Sequence, residues 1–200
     1  MGYGPGMART KEFDPDAALD AALELFWRRG YEATSMADLV EHLGIARASV
    51  YGTFGSKREL YLKALDRYQE STAEGTLAAL SEPGPALPAV RRLVEAFGAQ
   101  TLQDAERRGC FVTNTAVELA GSDAEAARRV ERSWDGLESA IAGALTRARA
   151  QGELAAGQNP TALARFLVVL LQGLRVMGRA RPEPERVRDA VRAALAVLDG

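Results

Sequence analysis

At 200 residues the chain is long enough to bury a core without disulfides, and its single cysteine (Cys110) and single histidine (His42) exclude an internal disulfide and a cluster of soft zinc ligands. The formal net charge of -2 carries no global nucleic-acid signature. The longest apolar run, Phe166 to Met177, is interrupted by Gln172 and Arg175 and is too short to span a membrane, so a cytoplasmic protein with no metal, cofactor or membrane partner is expected.

Residues 1–12 hold glycines and two basic residues without an apolar run, and are expected to form a disordered arm rather than a signal peptide. A first helix opens with Asp14 as N-cap and Pro15 at its first position, places Leu19, Leu23 and Phe26 on one face and ends at Gly30, after which Tyr31 folds back. Ser35 caps a short second helix with Leu39 and Leu43 one turn apart, Gly44 stops it, and Ile45 points inward. A third helix runs from Arg47 to Phe54, and a capping box of Ser56 and Glu59 opens a fourth that continues to about Leu80. Ser81 to Pro88, with three prolines and a glycine, is a break. Further helices are expected near 89–106, 110–120, 123–150, 161–179 and 184–198, with a second capping box of Ser122 and Glu125 and a turn bounded by Gly152 and Asn159-Pro160. The expectation is an all-α chain of about nine helices: the arm 1–12, a three-helix helix-turn-helix domain over 13–60, and a larger ligand-binding and dimerisation domain over 61–200.

Two short helices joined by a glycine-containing turn, with a helix before them, is the plan that lays a recognition helix in the DNA major groove. The third helix sorts its residues accordingly: Val50 and Phe54 face the core, whereas Arg47 and Tyr51 face out, with the small Ala48 and Gly52 between them. Gly52 costs about 1 kcal/mol relative to alanine in a helix interior. It marks either a working surface or a drifted position. Gly44 to Arg58 contains Arg47, Lys57 and Arg58 and no acidic residue, so positive charge is concentrated locally although residues 1–60 as a whole are slightly acidic.

The pieces Leu25-Phe26, Gly30-Tyr31, Thr34-Ser35, Leu43-Gly44-Ile45, Val50-Tyr51, Phe54 and Lys57 with Leu60 resemble, in order and spacing, the DNA-binding domain of the TetR/AcrR family of transcriptional regulators. The resemblance covers the first third of the chain. It implies that Thr34 and Ser35 hold a phosphate at a helix N-terminus, and that Tyr51 and Lys57 each bond a phosphate. The alternatives are a half-buried core role for Tyr51 and an ordinary solvated charge for Lys57. Arg47 has the reach and the fork to read guanine O6 and N7, Ala48 lets the helix approach, and Thr53 suits a phosphate or a thymine methyl. Gly52 and Thr53 depart from the family pattern, where a large residue and a histidine are common.

For the second domain the resemblance implies a ligand pocket and a two-fold dimer on double-stranded operator DNA. The pocket candidates are Phe97, Gln100, Phe111, Asn114 and Trp134, which otherwise read as core. The dimer candidates are Phe166, Leu170, Leu174, Val187, Val191 and Leu195 on the last two helices. Cys110, after two arginines and Gly109 at a helix start, is a redox or electrophile sensor or else a small core residue. The function implied is a repressor released from its operator by an unknown small-molecule effector. The alternatives are thiol sensing through Cys110 or, in another class, a ligand-binding helical bundle with a vestigial helix-turn-helix. No nucleophile elbow, metal spacing or phosphate loop marks an enzyme.

Overall fold

Asp14 and Pro15 set the start of the first helix in the computed structural model, which describes residues 13–199; the arm expected over 1–12 lies outside them. The Asp14 carboxylate accepts from the Asp16 amide, and α1 runs Pro15–Arg29. Gly30 ends it with φ +88°, and a side chain there would meet the Glu118 carboxylate at 2.9 Å, so both backbone and space require glycine. A capping box of Ser35 and Asp38 opens α2 (Met36–Leu43), and Gly44, left-handed at φ 64°, closes it and turns the chain into α3 (Arg47–Phe54). Ser56 and Glu59 form the expected capping box of α4 (Lys57–Ser81).

The break after α4 is shorter than the prolines suggest, because α5 (Ala86–Gln103) starts at Ala86 and carries Pro88 in its first turn, where a missing N–H costs nothing. Its first amides are satisfied from far along the chain: Ala86 donates to Gln151 Oε1 (3.1 Å) and Leu87 to Glu153 Oε2 (2.8 Å). The short α6 (Phe111–Glu118) and the long α7 (Ala124–Ala150) follow. The capping box expected of Ser122 does not form. Asp123 caps α7 instead, accepting from the Glu125 and Ala126 amides, while the Ser122 hydroxyl donates to the Leu119 carbonyl. Asn159 caps α8 (Pro160–Gly178), and α9 (Pro184–Asp199) completes nine helices among the described residues, with no strand. At 19 residues α8 extends beyond the apolar run on both sides and is, by length and composition, able to cross a membrane. Here Leu167, Leu171 and Leu174 bury one side of it in the protein core.

Two apolar clusters organise the packing. The first joins α1, α2, α3, the start of α4, α6 and the start of α7, around Phe26, Leu39, Leu60, Tyr61, Leu65 and Phe111. Its aromatic rings meet mostly edge to face: Tyr61 lies 5.0 Å from both Phe26 and Phe111, and Trp27 lies 4.9 Å from Tyr68. Each such pair adds about 0.5–1.5 kcal/mol beyond its buried area. The second cluster joins the end of α4 with α5, α7, α8 and α9, around Leu80, Val90, Ile141, Leu145, Leu167 and Leu171. Helix α4 contributes to both clusters, and Trp134 of α7 packs against both.

Candidate nucleic-acid interface

Helix α3 is held by the two residues that point inward, Val50 and Phe54, exposed by only 1% and 5%. That anchoring turns Arg47, Ala48, Tyr51 and Gly52 to the outside. The Arg47 guanidinium lies 5.8 Å from the Tyr51 ring centroid, within cation–π range, so the two side chains form one outward-facing unit. Among the described residues, nothing beyond its own helical turn lies within 4 Å of where a Gly52 Cβ would be. Packing therefore does not demand glycine at this position, and its absence of side chain leaves the backbone open to a partner. Thr53 is half-buried at the edge of the same face.

The residues flanking α2 are engaged more deeply. Thr34 is fully buried and donates its hydroxyl to the Gly30 carbonyl at 2.6 Å, which ties the turn after α1 rather than presenting the hydroxyl outward. Ser35 is exposed, and its hydroxyl and amide both engage the Asp38 carboxylate. Those hydrogen bonds, with Arg29 nearby, hold the Asp38 carboxyl down at about 2. Lys57 is neither free nor merely solvated: Nζ donates to the carbonyls of Tyr31 and Thr34, 2.9 Å each, and sits 3.9 Å from the Tyr31 ring centroid.

Sequence reasoning missed the ties that hold this unit to the rest of the chain. The Glu118 carboxylate, ending α6, accepts from the Tyr31 amide (3.0 Å) and the Glu32 amide (2.8 Å). At the other end of α6, the Gly109 carbonyl accepts from Trp27 Nε1 (3.2 Å), and Arg108 bonds Glu24 (2.7 Å) while covering the Trp27 ring. Arg58 clamps Asp123 through two nitrogens (2.5 and 2.9 Å) and reaches Glu125 (3.1 Å). Each pair is separated by 60 residues or more, so no local pattern announces it.

The five residues expected to line a ligand pocket are distributed over the two clusters and the surface. Phe111 is fully buried in the first cluster, and Phe97 belongs to the second, under the Arg175 guanidinium at 4.3 Å. Gln100 is exposed and accepts from Arg175 (2.6 Å), and Asn114 donates to the Arg108 carbonyl (2.8 Å). Trp134 joins both clusters, with its indole N–H buried and without a partner among the described residues. Cys110 is half-buried against the first cluster beside Tyr68, whose hydroxyl pKa is raised by burial and by that neighbour; it makes no side-chain bond to cap α6.

The residues expected at a dimer face differ in exposure. Leu174 and Val187 are 2% and 1% exposed, buried inside the chain's own core. Leu170, Val191 and Leu195 are half-buried against that same core. Phe166 is exposed, and it is joined along α8 by Val169 and Val176, which sequence reading did not select.

Residues 18–64 match the family model for bacterial regulatory proteins of the tetR family, and residues 86–194 match that for the tetracyclin repressor-like C-terminal domain. The chain is 40% identical over 195 residues to an uncharacterised HTH-type transcriptional regulator, YezE, of Bacillus subtilis (strain 168), covering 96% of this chain and all of that one. It is 33% identical over 180 residues to the HTH-type transcriptional repressor ComR of Escherichia coli (strain K12), covering 90% and 86%. Among solved structures, a cysteine-substituted variant of the TetR family transcriptional regulator CifR, in complex with 26-base-pair double-stranded operator DNA, aligns with a TM-score of 0.79 at 30% identity, covering 98% of this chain and all of that one. Matched through both its helix-turn-helix and its C-terminal domain, the chain belongs to the TetR family of bacterial transcriptional regulators.

Proposed function

We propose that this chain is a homodimeric operator-binding repressor whose DNA affinity falls when a small molecule binds its C-terminal domain. The observation that carries the reading is the division of α3, with Val50 and Phe54 locked in the core and Arg47, Ala48, Tyr51 and Gly52 presented outward. Arg47 reads a guanine through a bidentate contact, and Ala48 and Gly52 allow close approach. Phosphates are met by the Tyr51 hydroxyl, by Ser35 with the first-turn amides of α2, by Thr53 at the edge of α3, and by the third proton of the Lys57 ammonium. The dimer pairs the exposed stripe of α8, and repression agrees with the name given to ComR. Operator release follows if the ligand alters the spacing of two recognition helices that must enter successive major grooves.

Binding of the purified protein to the DNA flanking its own gene, over a salt series, tests this directly. Wild type is expected to bind sequence-selectively with an affinity that falls steeply with salt. Arg47→Ala is expected to weaken binding by about 1–3 kcal/mol and to relax selection at one base pair. Affinity no better than for random DNA across genomic fragments overturns the reading.

A further inference from the structure

We propose that the cleft between the ends of α5 and α8 and the start of α9 is an effector site for a small organic acid, held by Arg107, Arg181 and Arg188. The cleft measures about 450 Å³, the size of a small-molecule site. Its lining combines those three guanidinium groups with apolar surface from Leu102, Pro182 and Pro184. Asp104 is the one carboxylate in the wall among the described residues, and its Oδ2 already accepts from the Gly109 amide at 2.7 Å. Arg188 is steadied by Glu185 at 2.5 Å, and Arg107 and Arg181 form no ion pair among the described residues. The N-terminus of α9 opens at the same place, adding the positive end of a 16-residue helix.

Backbone conformation sets this cleft apart from an ordinary charged surface. Among the described residues only two non-glycine residues have positive φ, and they are Arg107 (54°) and Arg181 (53°), both lining the cleft. Each sits in a turn that follows a helix, where glycine or asparagine does the backbone work without steric conflict. Gly109 supplies the same conformation two residues after Arg107. Arginine at both turns gives up that ease and projects a planar, permanently charged fork, the group best matched to carboxylate or phosphate oxygens. The apolar walls select an anion with a hydrocarbon body over a bare inorganic ion.

The cleft is also connected. Arg107 is followed by Arg108 and Gly109, which grip Glu24 and Trp27 of α1, so occupancy bears on the segment that seats the DNA-binding helices. The effector role rests on the operator-binding reading above, whereas the site itself does not.

Phthalate, an aromatic dicarboxylate, serves as the probe, titrated into the full-length protein by calorimetry and by amide NMR without DNA. Saturable binding at one site per subunit is expected, about millimolar or tighter, with shifts centred on Leu102, Ala105 and Gly178. Arg107→Asn and Arg181→Asn, which tolerate the left-handed backbone, are each expected to weaken it about tenfold or more. Arg128→Asn, an exposed arginine on α7, is the control for bulk charge and leaves binding unchanged. Inorganic phosphate is expected to bind more weakly than phthalate, and equal affinity overturns the organic-acid assignment. Absence of saturable phthalate binding, or wild-type shifts centred elsewhere, overturns the site even if a variant fails to fold. A second arm adds phthalate to the operator complex: loss of operator affinity in wild type but not in Arg181→Asn supports the effector role, and unchanged affinity overturns it. Failure of wild type to bind operator before phthalate is added identifies the operator reading as the one at fault.

Discussion

Arg47 and Lys57 are both cations near the recognition helix, yet they stand in different surroundings. Arg47 is exposed, lies 5.8 Å from the Tyr51 ring centroid and makes no side-chain hydrogen bond or ion pair among the described residues, so removing it leaves no buried group unpaired there. Lys57 reaches back across the turn to two carbonyls, 26 and 23 residues earlier, that lose a charged donor if it is removed. Hydrogen bonds to a charged group contribute about 1.5–3 kcal/mol. Lys57→Met is therefore expected to lower the melting temperature by several degrees as well as operator affinity, whereas Arg47→Ala lowers affinity with an unchanged melt. An unchanged melt for Lys57→Met would show that the carbonyl contacts contribute nothing. The outward role of Arg47 was legible because Arg47, Val50, Tyr51 and Phe54 follow the helical period. The inward reach of Lys57 was not, because a flexible four-carbon stem can follow either direction and only the folded turn supplies the acceptors.

Helix boundaries were legible where the cap lies in the neighbouring residues and illegible where it arrives from elsewhere. Asp14, Ser35 and Ser56 sit next to the helices they open, and Gly44 supplies its own left-handed turn. The start of α5 depends on Gln151 and Glu153, about 65 residues on, which explains why three prolines read as a longer break than the chain contains. At α7 the sequence reading chose Ser122, whereas its neighbour Asp123 is the cap, a position that the contact with Arg58 accompanies. Asp123 thus closes the first turn of α7 and ties it to the start of α4. Its hydrogen bond to Arg58 holds its carboxyl well below the usual 3.8, so the folded state binds this proton less readily than the unfolded chain. The stabilisation is fully present above pH 4 and is lost as the pH falls through the depressed folded-state value. Asp123→Ala is expected to cost about 1–2 kcal/mol near neutral pH. In urea melts that cost should shrink below pH 4 as the wild-type carboxylate protonates. A cost that stays constant down to pH 2 would assign it to something other than the ionised cap.

At the scale of the whole molecule, α8 has two apolar sides, and their exposure separates them. Leu167, Leu171 and Leu174 face the chain's own core, while Phe166, Val169 and Val176 are exposed by 42%, 73% and 48% on a side left open among the described residues. The sequence shows only that the helix is apolar around most of its circumference, because burial against the chain's own core and burial against a second subunit select the same residue types. Hence the sequence alone did not separate Leu174 and Val187, which the chain's own core buries, from the exposed residues of α8. Covering an exposed Val or Phe contributes about 1.5–3 kcal/mol before the entropic cost of association. In the dimer proposed above, three such residues from each subunit form the apolar centre of the two-fold interface. Val169→Glu places two charges against one another at that centre and is expected to give monomers at micromolar concentration by sedimentation. The same substitution should reduce operator affinity by about 100-fold or more, since each recognition helix then binds its half-site without the effective concentration supplied by its partner. Leu174→Ala provides the contrast, lowering chain stability by about 2–5 kcal/mol through a core cavity. If Val169→Glu remained dimeric, the exposed side of α8 would not be the interface, and pairing would have to be sought on another face.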